Sequence, residues 1–201
     1  MKGVQADNEQ LKSWWQQCLA GDTTAFAQIH EALFDGLYNY ACKLLNDDAL
    51  ADDAVQELFI RLWQKRSSIN QLEKVKPFFF TALRRQILNQ LRDIKSKQLK
   101  INAAPEPEIE FSQEEIIIKK EDDTGIKEKI LQILNTLPER QREVIYLHFF
   151  EDMPLLQVSE VMAINYQSVQ NLKQRALQNM RSANLLSLFI LLYTTHCLGK
   201  F

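Results

Sequence analysis

Apolar residues recur every three or four positions over Asn8–Leu19, Thr24–Leu45, Ala49–Arg66 and Pro77–Lys97, a spacing that predicts four amphipathic helices in the first half of the chain. Asp22-Thr23 before Thr24 and Asp47-Asp48 before Ala49 supply oxygens for the unpaired N–H groups of a helix start, and their charge suits the positive end of the helix dipole. Pro77 fits the first helical position, where its missing N–H costs nothing. From Ile101 to Gly125 the period fails, Pro105 and Pro107 interrupt the chain and acids dominate, which predicts a linker. Its run Glu115-Ile116-Ile117-Ile118 is a candidate for docking on a folded part. Helical spacing returns over Ile126–Thr136, Pro138–Phe150, Leu155–Met162 and Gln167–Arg181. No strand alternation of useful length and no internal repeat appears, so the expected fold is all-α in two lobes.

Composition supports this picture. A chain of 201 residues can form two small domains that each bury a core, and only five Gly and five Pro argue against a loop-rich or β-sandwich fold. Cys18, Cys42 and Cys197 are odd in number and far apart, without the spacing of a disulfide framework or a zinc site. A reducing cytosol fits that usage, and polar residues follow Met1-Lys2-Gly3-Val4-Gln5 where a signal peptide needs its apolar run. The expected localisation is cytoplasmic.

The net charge of −2 conceals a segregation. Lys65–Lys100 holds ten Lys and Arg against Glu73 and Asp93, a local charge of +8, whereas Glu106–Asp123 and residues 1–64 each carry −6. One segment is thus suited to a polyanion and the others to avoiding one or meeting a basic partner. Solvated helix faces with uneven charge are the plainer alternative.

Near the C-terminal end, a helix around Leu156–Met162, a break at Ala163–Tyr166 and a helix from Gln167 form a helix-turn-helix pattern, whose second helix enters the major groove of DNA. On that second helix Val169, Leu172, Ala176, Leu177 and Met180 share one side. Gln167, Gln170, Asn171, Gln174, Gln178 and Arg181 fall opposite. Amides make paired donor and acceptor contacts to adenine edges, whereas a merely solvated helix more often carries Glu and Lys. Lys173 lies near the apolar side, where its stem can pack while the ammonium reaches a phosphate.

Two further helices carry a patterned exposed side. Over Ala51–Trp63 the stripe Ala51, Val55, Leu58, Phe59 and Leu62 is expected to be buried, leaving Asp53, Gln56, Glu57 and Ile60 together; an apolar residue among acids and an amide is a candidate docking patch, although isolated surface apolars are common. In Phe78–Arg92, Phe79, Leu83, Ile87 and Leu91 can face the core, which sets Phe78 beside Arg85, Asn89 and Arg92. An aromatic among cations and amides suits stacking on an unpaired base and holding its backbone. Phe78 can equally cap the core.

The block Leu137-Pro138-Glu139-Arg140-Gln141-Arg142-Glu143-Val144, with Gln157–Ala163 and Ser168-Val169-Gln170-Asn171, Arg175-Ala176 and Met180-Arg181, resembles region four of the sigma factors of bacterial RNA polymerase. Ala51-Asp52-Asp53-Ala54-Val55-Gln56-Glu57-Leu58-Phe59-Ile60-Arg61-Leu62-Trp63 is similar to the family's region-two helix. The two matches stand in the family's order, with no room between them for the intermediate domain of the larger housekeeping members, which points to the extracytoplasmic-function group of the sigma-70 family.

That resemblance implies a promoter-reading subunit and no enzyme. Asp53, Gln56, Glu57 and Ile60 are expected to bind the clamp of core RNA polymerase. Phe78, Arg84, Arg85, Asn89 and Arg92, with the preceding loop Ser67–Lys76, are expected to melt and hold the minus-ten element. Gln167, Ser168, Gln170, Asn171, Lys173, Gln174, Arg175 and Arg181 are expected to bind the minus-thirty-five element. The implied partners are core RNA polymerase, promoter DNA and an anti-sigma factor, with no small-molecule substrate and no cofactor. Arg85 and Asn89 depart from the usual Asn and Asp of the minus-ten helix, so promoter preference does not transfer. Ala163 replaces the Gly common in the turn, and Asn165 is expected to adopt the left-handed conformation instead, which Asn tolerates.

The expected fold is then all-α, two helical domains joined by a flexible acidic linker, the second containing the helix-turn-helix. The expected boundaries are residues 1–98 for the region-two-like domain, 99–125 for the linker, 126–183 for the region-four-like domain and 184–201 for an apolar tail. The tail run Leu185–Tyr193 is far shorter than the about twenty residues that span a bilayer. A stand-alone helix-turn-helix regulator with an N-terminal interaction domain is the alternative. His30, His148 and His196 are scattered, no phosphate loop, HExxH or nucleophile elbow occurs, and neither a catalytic nor a metal-binding residue is assigned.

Overall fold

Three of the first four helices begin on an aspartate. Asp7 accepts from the Gln10 N–H at 2.8 Å, Asp22 from Thr24 and Ala25 at 2.7 and 3.2 Å, and Asp47 from Leu50 at 3.0 Å, opening α1 (Asn8–Leu19), α2 (Thr23–Leu45) and α3 (Asp48–Lys65). Asn46 closes α2 in the left-handed region at φ 51°. After a short 3₁₀ turn at Arg66–Ser68, α4 runs over Val75–Gln98. Pro77 therefore stands third and not first in its helix, still among the positions whose N–H groups lack an intrahelical partner. The structure, a computed structural model, describes residues 6–98, 109–111 and 124–182. These fall into two compact units.

The first unit packs α1–α4 around Trp15, Ile29, Leu37, Tyr40, Leu58, Phe79, Phe80, Leu83 and Ile87, all fully buried. Aromatic rings meet edge-on or tilted at its centre: Trp15 and Phe79 at 6.0 Å, Phe59 and Phe79 at 5.5 Å, Tyr40 and Phe80 at 5.4 Å.

The second unit contains α5 (Thr124–Thr136), α6 (Glu139–Ile145), α7 (Leu155–Met162) as far as Ser159, and α8 (Tyr166–Ser182). Pro138–Phe150 is not the single regular helix that its spacing predicts: at Tyr146 the chain widens into a π-type turn, in which the Glu151 N–H donates to the Tyr146 carbonyl at 3.2 Å. The Tyr146 and Phe150 rings stack at 5.9 Å, and Phe111 packs on both, 5.2 Å from Phe150. The Asn135 amide binds both the N–H and the carbonyl of Phe111, at 2.8 and 3.1 Å. With Ile109 and Phe111 both buried, this short stretch of the proline-bearing acidic segment is part of this unit's core. The runs Glu115–Ile118 and Leu185–Tyr193 lie outside the described residues.

Among the described residues no helix is long and apolar enough to cross a membrane, and no group of His, Cys, Asp and Glu is arranged to hold a metal ion.

Candidate functional site

On α3 the core takes Ala51, Ala54, Val55, Leu58, Phe59 and Leu62, so helical geometry leaves Asp53, Gln56, Glu57 and Ile60 outside, and all four are exposed. Ile60 is 58% exposed, the largest value among the exposed large apolar side chains of the described residues. The polar groups around it are held in place. Gln56 donates to Asp52 at 2.7 Å; Gln86 of α4 donates to Glu57 at 3.1 Å and to the Ala54 carbonyl at 3.1 Å, and accepts from Arg61 at 2.6 Å. Leu50, in the first turn of α3 and also exposed, extends the apolar part of this face. Sequence reasoning missed it, although its spacing of seven and ten from Glu57 and Ile60 was the available signal.

On α4, Phe78, Arg85, Asn89 and Arg92 share a face, as the spacing predicts. Arg85, Asn89 and Arg92 are exposed, while Arg92 donates to Asn89 at 3.0 Å. Arg84 is half-buried and lies to one side. Phe78 is half-buried too, with its ring 6.3 Å from Trp15 and 6.1 Å from Phe79. It is thus an aromatic edge packed against the core rings. The loop ahead of α4 is tied to α1, a role no sequence signal had assigned to that helix. Asn8 donates to the Glu73 carbonyl at 3.0 Å, Lys12 to the Glu73 carboxylate at 2.8 Å and the Trp15 indole to the Asn70 carbonyl at 3.4 Å. The bond to Glu73 raises the Lys12 pKa. At the other end, Arg66 lies 4.0 Å over the Trp63 ring and donates to the Trp63 carbonyl at 2.8 Å.

On α8, Val169, Ala176 and Met180 are buried and Leu172 and Leu177 half-buried, so the apolar side lies where the spacing puts it. Gln167, Asn171, Gln174, Arg175, Gln178 and Arg181 are exposed; Ser168, Gln170 and Lys173 are half-buried. Gln167 donates to Asn171 at 3.2 Å, and Asn179 ties α8 to Gln141 of α6 at 3.2 Å. The turn before α8 differs from expectation. Ala163 itself takes the left-handed conformation at φ 54°, while Asn165 caps α8 by accepting from the Ser168 N–H at 2.7 Å. Asn is worth more as a cap than as a left-handed link, and Ala carries the backbone strain that Gly would avoid.

Three further titratable groups, Cys18, His30 and His148, are buried or half-buried. Burial pushes the Cys18 thiol up to about 11. Burial lowers the pKa of His30, packed against Phe34 and Phe59, and of His148, whose Nδ1 lies 2.8 Å from the Met153 carbonyl.

Two helical units, one with a helix-turn-helix whose second helix is rich in amides, have the architecture of a DNA-binding protein. Residues 29–97 match the family described as Sigma-70 region 2, and residues 127–180 match Sigma-70, region 4. The RNA polymerase sigma factor SigV of Bacillus subtilis (strain 168) is 32% identical over 135 residues, which cover 67% of this chain and 75% of SigV. The ECF RNA polymerase sigma factor SigW of the same strain is 24% identical over 182 residues, 85% of this chain and 95% of SigW. In fold, the chain is similar to CnrH, solved in complex with the cytosolic domain of CnrY (TM-score 0.60, 16% identity, 87% of this chain and 96% of that one). It is also similar to RpoE, solved with the anti-sigma factor NepR from Bartonella quintana (TM-score 0.56, 19% identity, 78% and 94%).

The chain belongs to the sigma-70 family of RNA polymerase sigma factors, in its extracytoplasmic-function group. It is a sigma factor, directing promoter-specific initiation of transcription with core RNA polymerase; the family is one of non-catalytic initiation factors.

Proposed function

We propose that this sigma factor divides its work among three faces. The α3 face of Asp53, Gln56, Glu57 and Ile60, widened by Leu50, docks on core polymerase. The α4 face of Phe78, Arg85, Asn89 and Arg92, with Arg84 beside it and the loop braced by α1, holds the melted minus-ten strand. On α8, Gln167, Gln170 and Gln174 read the minus-thirty-five element, while Lys173, Arg175 and Arg181 hold phosphates. The observation that carries this reading is a contrast in chemistry: an exposed Ile60 framed by acids on one helix, and an acid-free amide face on the other. An acidic apolar face repels DNA and suits a basic protein surface, whereas amides without carboxylates suit base edges.

Residues 1–98 form the polymerase-binding and melting domain in this reading, residues 126–183 the upstream-element domain, 99–125 the connection and 184–201 the tail. The Ile109–Phe111 packing supports counting that stretch of the connection with the second domain. The protein acts in the cytoplasm, without chemistry of its own, and an anti-sigma factor covers its faces in the inactive state, as the anti-sigma factor NepR is bound to the sigma factor RpoE. Run-off transcription with core polymerase separates the three roles. Ile60→Glu abolishes transcripts from every template, Gln170→Ala changes which upstream elements are used, and Asn89→Ala slows opening on linear templates and is relieved by a pre-melted bubble. Full activity of all three variants contradicts the reading.

A further inference from the structure

At the N-terminal end of α8 a cavity of about 320 Å³ opens between that helix and the start of α6, lined by Arg140, Ile164, Ser168, Asn171, Leu172 and Arg175. Its polar lining is made of donors. Two guanidiniums offer N–H groups only, and Ser168 offers a hydroxyl. The Asn171 carbonyl already accepts from Gln167 at 3.2 Å, which leaves its NH₂ as the donor available to a ligand. No carboxylate lines the cavity. The first turn of a 17-residue helix adds the positive end of its dipole. Two cationic forks around one hollow, with donors between them, ask for an acceptor-rich anion, and the planar fork of Arg matches phosphate oxygens.

We propose that this notch seats one backbone phosphate of duplex DNA, so that Arg140, outside the helix-turn-helix, is a DNA-binding residue. Asn171 then belongs with the phosphate-holding groups and not with the base readers. The inference rests on the reading of α8 as the helix that enters the major groove. A helix so placed runs between two rows of phosphates, and the notch stands beside the amide face, joined to it through the Gln167–Asn171 bond. Arg140 and Arg175 approach the phosphate from two different helices, which fixes the depth and angle at which α8 sits.

The test uses full-length protein in holoenzyme with core polymerase and two duplexes: one enriched by the wild type from a random pool, and a scrambled control. Arg140→Ala is expected to weaken both duplexes alike, by about tenfold at low salt, and to reduce the slope of log affinity against log salt by about 0.9, the value for one phosphate. Arg140→Lys keeps the charge and is expected to restore the slope. Gln170→Ala serves as the reference and is expected to weaken only the enriched duplex. If Gln170→Ala behaves so while Arg140→Ala leaves affinity and slope unchanged, or affects the enriched duplex alone, the notch proposal falls and the reading of α8 stands. If neither variant has an effect, the reading of α8 falls with it. Inorganic phosphate raising the melting temperature of the wild type but not of Arg140→Ala, with the DNA slope unchanged, identifies a free-anion site and overturns the proposal.

Discussion

Helices α3 and α8 are both amphipathic, both end-capped by a side chain and both exposed on one side, yet their exposed faces differ in chemistry. The exposed face of α3 is negative, knitted by bonds such as Gln86 to Glu57 and Gln56 to Asp52, and carries an apolar residue at its centre. The exposed face of α8 has no acid and few internal bonds. Secondary structure is therefore silent about the partner, and the proposed division of partners rests on the sign and saturation of the exposed groups. A pre-bonded acidic face presents a fixed shape to a protein. Amides with open donors and acceptors remain available for base edges.

The units also differ in what completes them. The first buries its core within four consecutive helices, whereas the second takes Ile109 and Phe111 from the segment ahead of α5. Phe111→Ala is expected to cost about 3–5 kcal/mol, all in the second unit. Because Trp14, Trp15 and Trp63 are the three tryptophans of the chain and all belong to the first unit, their emission reports that unit alone. Urea unfolding should show an early helical transition by circular dichroism and an unshifted tryptophan transition; a shift of both contradicts independent units.

Base reading comes next in size. Gln170→Ala should lose about 1–3 kcal/mol on its preferred site and relax preference at one base pair, measured by competition among single-substitution duplexes. A loss spread evenly over all duplexes returns Gln170 to the phosphate contacts. Smaller still is the turn, where Ala163→Gly should stabilise the helix-turn-helix by about 1 kcal/mol by relieving the left-handed conformation. Asn165→Ala should cost about the same through the lost cap, so thermal melts moving in opposite directions check both.

Protonation gives the smallest effect. Burial lowers the His148 pKa below its ordinary 6.5, so the unfolded chain binds the proton more readily. The stability due to the neutral ring is complete above 6.5 and is lost as pH falls through that value toward the folded pKa. His148→Gln should flatten the acid side of the second unit's stability profile, and His30→Gln should do so in the first, where the shift has the same sign and cause. An unchanged profile in either variant assigns the dependence to other groups.

Most of the helices and both exposed faces were legible in the sequence because amphipathic spacing fixes which side of a helix is buried. The Leu58, Phe59 and Leu62 stripe dictates that Ile60 lies outside, and Val169, Ala176 and Met180 do the same for Gln170 and Gln174. What spacing does not encode is contact between segments. The docking of Ile109 and Phe111 was hidden by the acids and prolines around them, which read as linker. The bracing of Glu73 by Asn8 and Lys12 joins residues more than sixty positions apart, with no periodic trace. The widened turn at Tyr146 was missed because a π-type turn keeps the apolar composition of a helix while changing its pitch. At Ala163 the need for a left-handed residue was recognised, but it was assigned to Asn165 because the cap that Asn165 supplies competes for the same side chain.

The central claim is that two faces serve two partners, and titration of labelled protein into core polymerase tests it most directly. Ile60→Glu places a charge at the middle of the proposed docking patch and is expected to weaken assembly by about 2 kcal/mol or more, with helicity and melting unchanged, while Gln170→Ala assembles like the wild type. Wild-type affinity of Ile60→Glu for core polymerase, with its fold intact, contradicts the account.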